Sequence, residues 1–235
     1  MNIRQIAVNM FRENTYVAWK EGPGCVIVDP GCVLESERQA LLDLLSDAFL
    51  RPAAILLTHG HNDHVYGVKW LQDRFDGIPV YMTGEDRALS LQGGFNLPWP
   101  GLEIPDTSFK VTEVTDGSRV RVADLEFEAI GTPGHSPGSV CWLERSAGVL
   151  FTGDTLFAGT IGRTDLPHCE WDDEIRSILE KLLPLDPGTA IFPGHGGSST
   201  IGCERTGNPF LEPFNEKEDD DEDGAGTTPV TIKAF

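Results

Sequence analysis

Thr58-His59-Gly60-His61-Asn62-Asp63-His64 is the stretch that decides the reading of this 235-residue chain. It follows Ala53–Leu57, a short apolar run that reads as a buried strand. The chain has six histidines, and three of them fall between positions 59 and 64. Packing gives no reason for that density. Imidazoles so close repel one another when protonated, and a divalent cation relieves this by taking their neutral nitrogen lone pairs. The spacing also divides the group. His59 and His61 alternate at the end of the strand and can meet one ion, while Asp63 and His64 open the next helix and can face a second.

Working outward, the same local context recurs. Leu125–Ile130 runs into Thr132-Pro133-Gly134-His135, Val149–Phe151 into Thr152-Gly153-Asp154, and Thr189–Phe192 into Pro193-Gly194-His195. Four apolar strands thus each end in a turn bearing a metal-type ligand, and strand-end loops are where α/β folds build their sites. Five histidines and two aspartates make seven candidate ligands. Two ions need about that many when a carboxylate and a water bridge them. Asp154 is the natural bridge, because a carboxylate has two oxygens. His168, in Leu166-Pro167-His168-Cys169, fits no ligand spacing and reads as a loop residue.

The remaining elements describe a layered α/β body. Ile3–Val8, Thr15–Trp19, Cys25–Val28, Arg119–Val122 and Ser139–Leu143 read as further strands. Leu41, Leu42, Leu44, Leu45, Ala48 and Phe49 recur at helical spacing, with Pro52 closing that helix. Ile175, Ile178, Leu179, Leu182 and Leu183 form a second amphipathic helix stopped by Pro184. Gly93–Pro105 is rich in glycine and proline and reads as an irregular loop beside the site. Asp29-Pro30-Gly31 is a turn signal. Residues 1–212 are expected to form one domain, with 213–235 an acidic tail around Glu216–Asp223, EKEDDDED, that reads as solvated and flexible.

Composition removes several functions. Lys and Arg number 18 against 37 Asp and Glu, a net charge of −19, and such a surface repels phosphate backbones, so no nucleic-acid partner is expected. Hydrophobic residues make up 40%, which excludes wholesale disorder. Five cysteines without a C-x-x-C spacing argue against a disulfide framework or a thiolate zinc site. The N-terminal MNIRQIAVNMFRENTY lacks an uninterrupted apolar region, and no apolar run of about 18 residues exists. No secretory signal and no membrane partner are expected, and a reducing cytoplasm fits best.

THGHNDH at 58–64, TPGHSPGS at 132–139, TGDTLF at 152–157 and PGH at 193–195 resemble the metallo-β-lactamase superfamily across residues 1–212. The resemblance implies an α/β four-layer αββα sandwich, with two mixed sheets, helices outside and a metal site at one sheet edge. It implies that His59, His61 and His135 bind one metal and that Asp63, His64 and His195 bind the other, with Asp154 bridging. The cofactors are then two divalent metal ions. Zinc is the expected one, although iron and manganese also accept this donor set.

GDTLFAGTIGRTDLP at 153–167 and GHGGSSTIGCERTGNPFL at 194–211 resemble the glyoxalase II-like branch, hydroxyacylglutathione hydrolases of the short bacterial kind. That narrower likeness implies hydrolysis of a small-molecule thioester by a metal-bridging hydroxide, with Asp63 and Asp154 as catalytic residues. Only 40 residues follow His195, so the C-terminal helical domain that grips glutathione in the longer enzymes is not expected. His168-Cys169 stands where this branch often has a glycine pair. Arg163 stands where the longer enzymes carry a substrate-contacting lysine, which makes it the candidate for holding a substrate carboxylate. Asp154 disfavours true β-lactamases, many of which carry cysteine or another residue there. Three alternatives stay open: a persulfide dioxygenase with a single iron on His59, His135 and Asp154, a hydrolase of another ester or lactone, and a non-catalytic binding protein. The segments IGRTDLP and GHGGSSTIG favour the thioester hydrolase. The sequence leaves the oligomeric state and the thiol carrier open.

Overall fold

Cys25-Val26-Ile27-Val28 and Ala54-Ile55-Leu56-Leu57 are apolar at consecutive positions, as strands covered on both faces must be. The computed structural model, which describes residues 1–96 and 102–214, shows what covers them. Val26, Val28, Ala54 and Leu56 enter one core, whereas Cys25, Ile27, Ile55 and Leu57 enter another on the opposite side of the sheet. The period of two along a strand sorts them.

The first sheet is built in chain order from β1 (Asn2–Val8), β2 (Glu13–Trp19), β3 (Gly24–Val28), β4 (Arg51–Leu56), β5 (Val80–Thr83) and β6 (Thr112–Val114). β1 to β3 pair antiparallel, and β3 to β6 pair parallel. The parallel pairs need crossovers, supplied by α1 (Glu35–Asp47), by α2 (Asn62–Val65) with α3 (Val68–Arg74), and by α4 (Gly84–Gln92). The second sheet begins as a meander of β7 (Arg119–Val122), β8 (Leu125–Gly131), β9 (Val140–Glu144) and β10 (Val149–Gly153). A small hairpin, β11 (Leu156–Phe157) and β12 (Thr160–Ile161), follows. Then α5 (Trp171–Ser177) leads through a π-helical turn, Ile178–Leu182, into β13 (Ala190–Pro193), which joins β10 in parallel. β14 (Ser199–Thr200) pairs antiparallel with β13, and α6 (Ile201–Gly207) follows it.

Three cores separate four layers. Leu41, Leu45, Val68 and Leu71 of the helices cover one face of the first sheet. The two sheets bury Val28, Leu56, Phe127, Trp142 and Phe151 between them. Ile175, Ile178, Leu179 and Leu182 cover the outer face of the second sheet. The chain is therefore an αββα sandwich of two mixed sheets, as expected. Polar ties also cross between the sheets. Trp142 Nε1 donates to the Leu57 carbonyl at 2.9 Å, Tyr16 OH to the Pro193 carbonyl at 2.6 Å, and the Val140 amide to the Thr58 carbonyl at 2.8 Å.

Two expectations need correction. Pro52 does not close the first helix. That helix ends at Asp47, and Phe49, counted on its apolar face, adopts a left-handed φ of 55° and is 85% exposed. Pro52 lies inside β4, where the pairing with β3 shifts register. A bulge tolerates the missing amide donor. The second helix does stop before Pro184, but through π-type bonding, with the Leu183 amide on the Ile178 carbonyl at 2.9 Å. The acidic run 216–223 and positions 97–101 of the glycine-rich loop lie outside the described residues. Among the described residues, no helix is long and apolar enough to cross a membrane.

Trp142→Phe keeps most of the ring volume but leaves the buried Leu57 carbonyl without its donor. The expected loss is about 1–3 kcal/mol of unfolding free energy, read as a lower midpoint in urea with unchanged slope. An unaltered midpoint would show that this inter-sheet bond contributes nothing.

Candidate metal centre

Five strands deliver the site to one end of the sandwich. β4 from the first sheet ends just before His59, and β8, β10 and β13 of the second end just before His135, Asp154 and His195. β3 ends just before Asp29, which stands behind His64. His61 caps α2, and Asp63 and His64 occupy its first turn. Glycines permit the close approach: a β-carbon at Gly194 would overlap Asp154 Oδ1 and the His64 ring. Gly153 adopts a φ of 50° with Thr58 packed against its α-carbon.

The structure gathers all seven candidates into one cluster. His59, His61 and His135 form one triad and Asp63, His64 and His195 another, the ligand atoms of each lying within 4.8 Å of one another. Asp154 stands between them. Its Oδ1 is 3.4 Å from His64 Nε2, and its Oδ2 is 3.5 Å from His195 Nε2 and 3.6 Å from His135 Nε2. His61 Nδ1 lies 2.9 Å from His135 Nε2, and Asp63 Oδ2 lies 3.3 Å from His195 Nε2.

The outer nitrogens fix which lone pairs face inward. His64 Nδ1 is 3.0 Å from Asp29 Oδ2, His135 Nδ1 2.9 Å from the Arg163 carbonyl, and His195 Nδ1 3.1 Å from the Phe11 carbonyl. These partners accept only, so each Nδ1 carries the proton and each Nε2 presents a lone pair to the cluster. Thr58 Oγ1 donates to Asp29 Oδ2 at 2.6 Å and so accepts from His59 Nδ1 at 3.0 Å. His59 Nε2, His64 Nε2 and Asp154 Oδ1 are buried with no hydrogen-bond partner among the described residues. Buried acceptors left this way cost stability unless a donor or cation meets them. Imidazole and carboxylate are the donors a zinc-like ion takes, and outward hydrogen bonds on the ligating histidines are its normal support. The residues fit a pair of divalent ions.

Electrostatics divide the cluster in two. Burial holds the His59 and His135 imidazoles below the usual histidine range and brings His61 down to about 3, which keeps all three neutral. Burial opposes charge on Asp154 too, but the neighbouring His64, His195 and His135 outweigh it and hold the carboxyl well below its ordinary range. Burial likewise works against a charged His64, yet Asp154 and Asp63 outweigh it and push the imidazole up. One end of the cluster is thus a neutral nitrogen set and the other a carboxylate-rich set.

Sequence reasoning missed the residues behind the ligands. Asp29 was legible only as a turn, although it ends an apolar strand as the ligands do. Asp86, on α4, accepts from the Gly60 amide at 2.8 Å, the Ser136 hydroxyl at 2.7 Å and the Gly138 amide at 2.7 Å. It therefore clamps the His61 loop to the His135 loop. Burial raises its carboxyl to about 6. Glu174, on α5, accepts from the His135 amide at 2.8 Å, and burial raises it to about 8. His168 lies exposed in the loop after β12 and belongs to neither triad. The five cysteines are unpaired, with Cys25, Cys32 and Cys141 in the core.

A cavity of about 590 Å³ opens onto the cluster at His61, Asp63, His135, Asp154 and His195. Phe11, Tyr66, Phe95, Phe157, Ile161 and Leu166 form its walls, with Arg163 at its margin. Phe95 comes from the glycine-rich segment. The Arg163 guanidinium is already engaged, bonding Asp165 through Nε and Nη2 at 2.7 and 2.9 Å.

Comparison with known proteins gives a consistent picture. The family model for the metallo-β-lactamase superfamily matches residues 9–195. Hydroxyacylglutathione hydrolase GloC of Haemophilus influenzae is 36% identical over 217 residues, covering 90% of this chain and 98% of that protein. Among solved structures, TTHA1623 in a di-iron-bound form superposes with a TM-score of 0.79 at 36% identity, covering 88% of this chain and 100% of that one. The BLEG-1 B3 metallo-β-lactamase superposes with a TM-score of 0.75 at 36% identity, covering 89% and 99%.

Asp29→Ala removes the acceptor behind His64. Outer partners of this kind contribute about 10–100-fold in metal affinity, so the variant is expected to lose metal at the Asp63–His64–His195 triad first. Competition with a chromogenic chelator measures this. Unchanged affinity at both triads would show that Asp29 does not orient His64.

Proposed function

The chain belongs to the metallo-β-lactamase superfamily, and from that premise we propose that it is a metal-dependent hydrolase of small-molecule thioesters. One observation carries the reading: two complete donor triads share Asp154 at the base of an apolar cavity. The full glyoxalase II-like segments at 153–167 and 194–211, and the relation to GloC over nearly its whole length, support the thioester over other esters and lactones. A single-iron dioxygenase would leave the Asp63–His64–His195 triad without a role. We assign residues 1–212 as the catalytic body and zinc as the resident ion. The unpaired cysteines support a reducing, cytoplasmic setting. The acidic surface supports small molecules rather than nucleic acids as partners.

His59, His61 and His135 would hold one ion, Asp63, His64 and His195 the other, and Asp154 would join them. Bound there, divalent ions supply Lewis acidity, which brings the pKa of a coordinated water to about 7 and polarises a carbonyl. The remaining work belongs to the chain. Asp63 and Asp154 present carboxylate oxygens that orient the attacking water, whose proton ends on the departing thiolate. The aromatic walls exclude bulk water and seat the acyl thiol. The new bond joins water oxygen to the carbonyl carbon, and the carbon–sulfur bond breaks with its electron pair on sulfur. A thiolate leaves readily, so cleavage of a thioester does not depend on a dedicated general acid as cleavage to an amine would.

His61→Ala is expected to lower bound metal and thioester hydrolysis together, the latter by about a hundredfold or more. A metal-poor variant that retains turnover would refute the assignment. So would a wild-type protein that opens β-lactams or lactones faster than any thioester.

A further inference from the structure

A substrate reaching the triads passes walls with little positive charge. Phe11, Tyr66, Phe95, Phe157, Ile161 and Leu166 carry no ionisable cation, and among the described lining residues outside the histidine cluster Arg163 is the one cationic side chain. The side edge of its guanidinium is taken. Nε donates to Asp165 Oδ1 at 2.7 Å and Nη2 to Asp165 Oδ2 at 2.9 Å, the two parallel bonds a substrate carboxylate would otherwise make. The Arg163 carbonyl is held as well, accepting from His135 Nδ1 at 2.9 Å. The backbone is therefore anchored to a ligand while the guanidinium is tied two residues along. The whole chain carries a net charge of −19.

The two halves of a thioester make different demands. The acyl carbonyl is set by the donor cluster, whereas the thiol half must lie along the walls. Glutathione brings two carboxylates and coenzyme A several phosphate charges, and desolvating these beside apolar walls is costly without cations to meet them. Resting on the thioester reading, we propose that this site selects thioesters whose thiol half is uncharged, and that Asp165 sets the preference by taking the side edge of the Arg163 guanidinium and neutralising its charge. Both side chains are largely exposed, at 60% and 70%, so the pair is individually weak. Its advantage is tethering: a free carboxylate must either displace an acceptor already held in place or bind the other edge of a guanidinium whose charge Asp165 already offsets. The effect is a bias in kcat/KM and not an absolute exclusion.

The test holds the acyl group constant and varies the thiol. Metal-loaded protein is given lactoyl thioesters of N-acetylcysteamine, glutathione and coenzyme A. For wild type, kcat/KM on the N-acetylcysteamine thioester is expected to exceed that on the glutathione thioester by about tenfold, a factor equal to 1.4 kcal/mol. Asp165→Asn is expected to raise the glutathione-to-N-acetylcysteamine ratio about fivefold, and Arg163→Gln in that background is expected to reverse the gain. Partial unfolding or metal loss scales both substrates equally and leaves the ratio alone. A wild-type ratio of one or more, or a ratio that Asp165→Asn leaves unmoved, overturns the proposal while the thioesterase reading stands. Failure of the metal-loaded protein to turn over any of the three overturns both.

Discussion

Buried lone pairs with nothing to meet them are the constraint on which this molecule turns. His59 Nε2, His64 Nε2 and Asp154 Oδ1 are buried with no hydrogen-bond partner among the described residues. The outer nitrogens of His59, His64, His135 and His195 are engaged, by Thr58, Asp29, the Arg163 carbonyl and the Phe11 carbonyl. The protein has spent its hydrogen bonds on aiming acceptors inward. A neutral filling would leave them unsatisfied, whereas a pair of cations satisfies them and offsets Asp63 and Asp154 at once.

The sandwich supplies what that arrangement needs. No single sheet carries the set: β4 brings the His59 loop from one side, and β8, β10 and β13 bring His135, Asp154 and His195 from the other. The inter-sheet core around Phe127, Trp142 and Phe151 fixes the separation of the two sheets. Near the ligands the packing becomes polar. The Val140 amide binds the Thr58 carbonyl, Asn14 Nδ2 binds the Pro193 carbonyl, and Asp86 spans the Gly60 and Gly138 loops. These ties orient the ligand loops directly, whereas packing in the hydrophobic layers is less directional.

Much of this was legible in the sequence, for a physical reason. A ligand needs a specific side chain at a strand end, so His59 to His64, His135, Asp154 and His195 each left a local mark. Strands covered on both faces, such as Cys25–Val28, also left one. Short elements did not. β5 offers only Val80–Thr83, and the polar face of α3 hides the buried Val68 and Leu71 among charges. Pro52 misled because proline ends helices more often than it enters bulged strands. Asp86 left no signal at all, since its partners lie 26, 50 and 52 residues away. Arg163 shows the converse: its place in the motif pointed to a substrate carboxylate, and only the coordinates reveal Asp165 already there.

Anomalous diffraction from crystals of the protein purified without chelator tests the central claim most directly. It should show two metal peaks per chain about 3.5–4 Å apart. One should lie against His59, His61 and His135 and the other against Asp63, His64 and His195, with Asp154 touching both. A solitary peak, or density with the imidazole Nε2 atoms of His59 and His64 bonded to water alone, would contradict it.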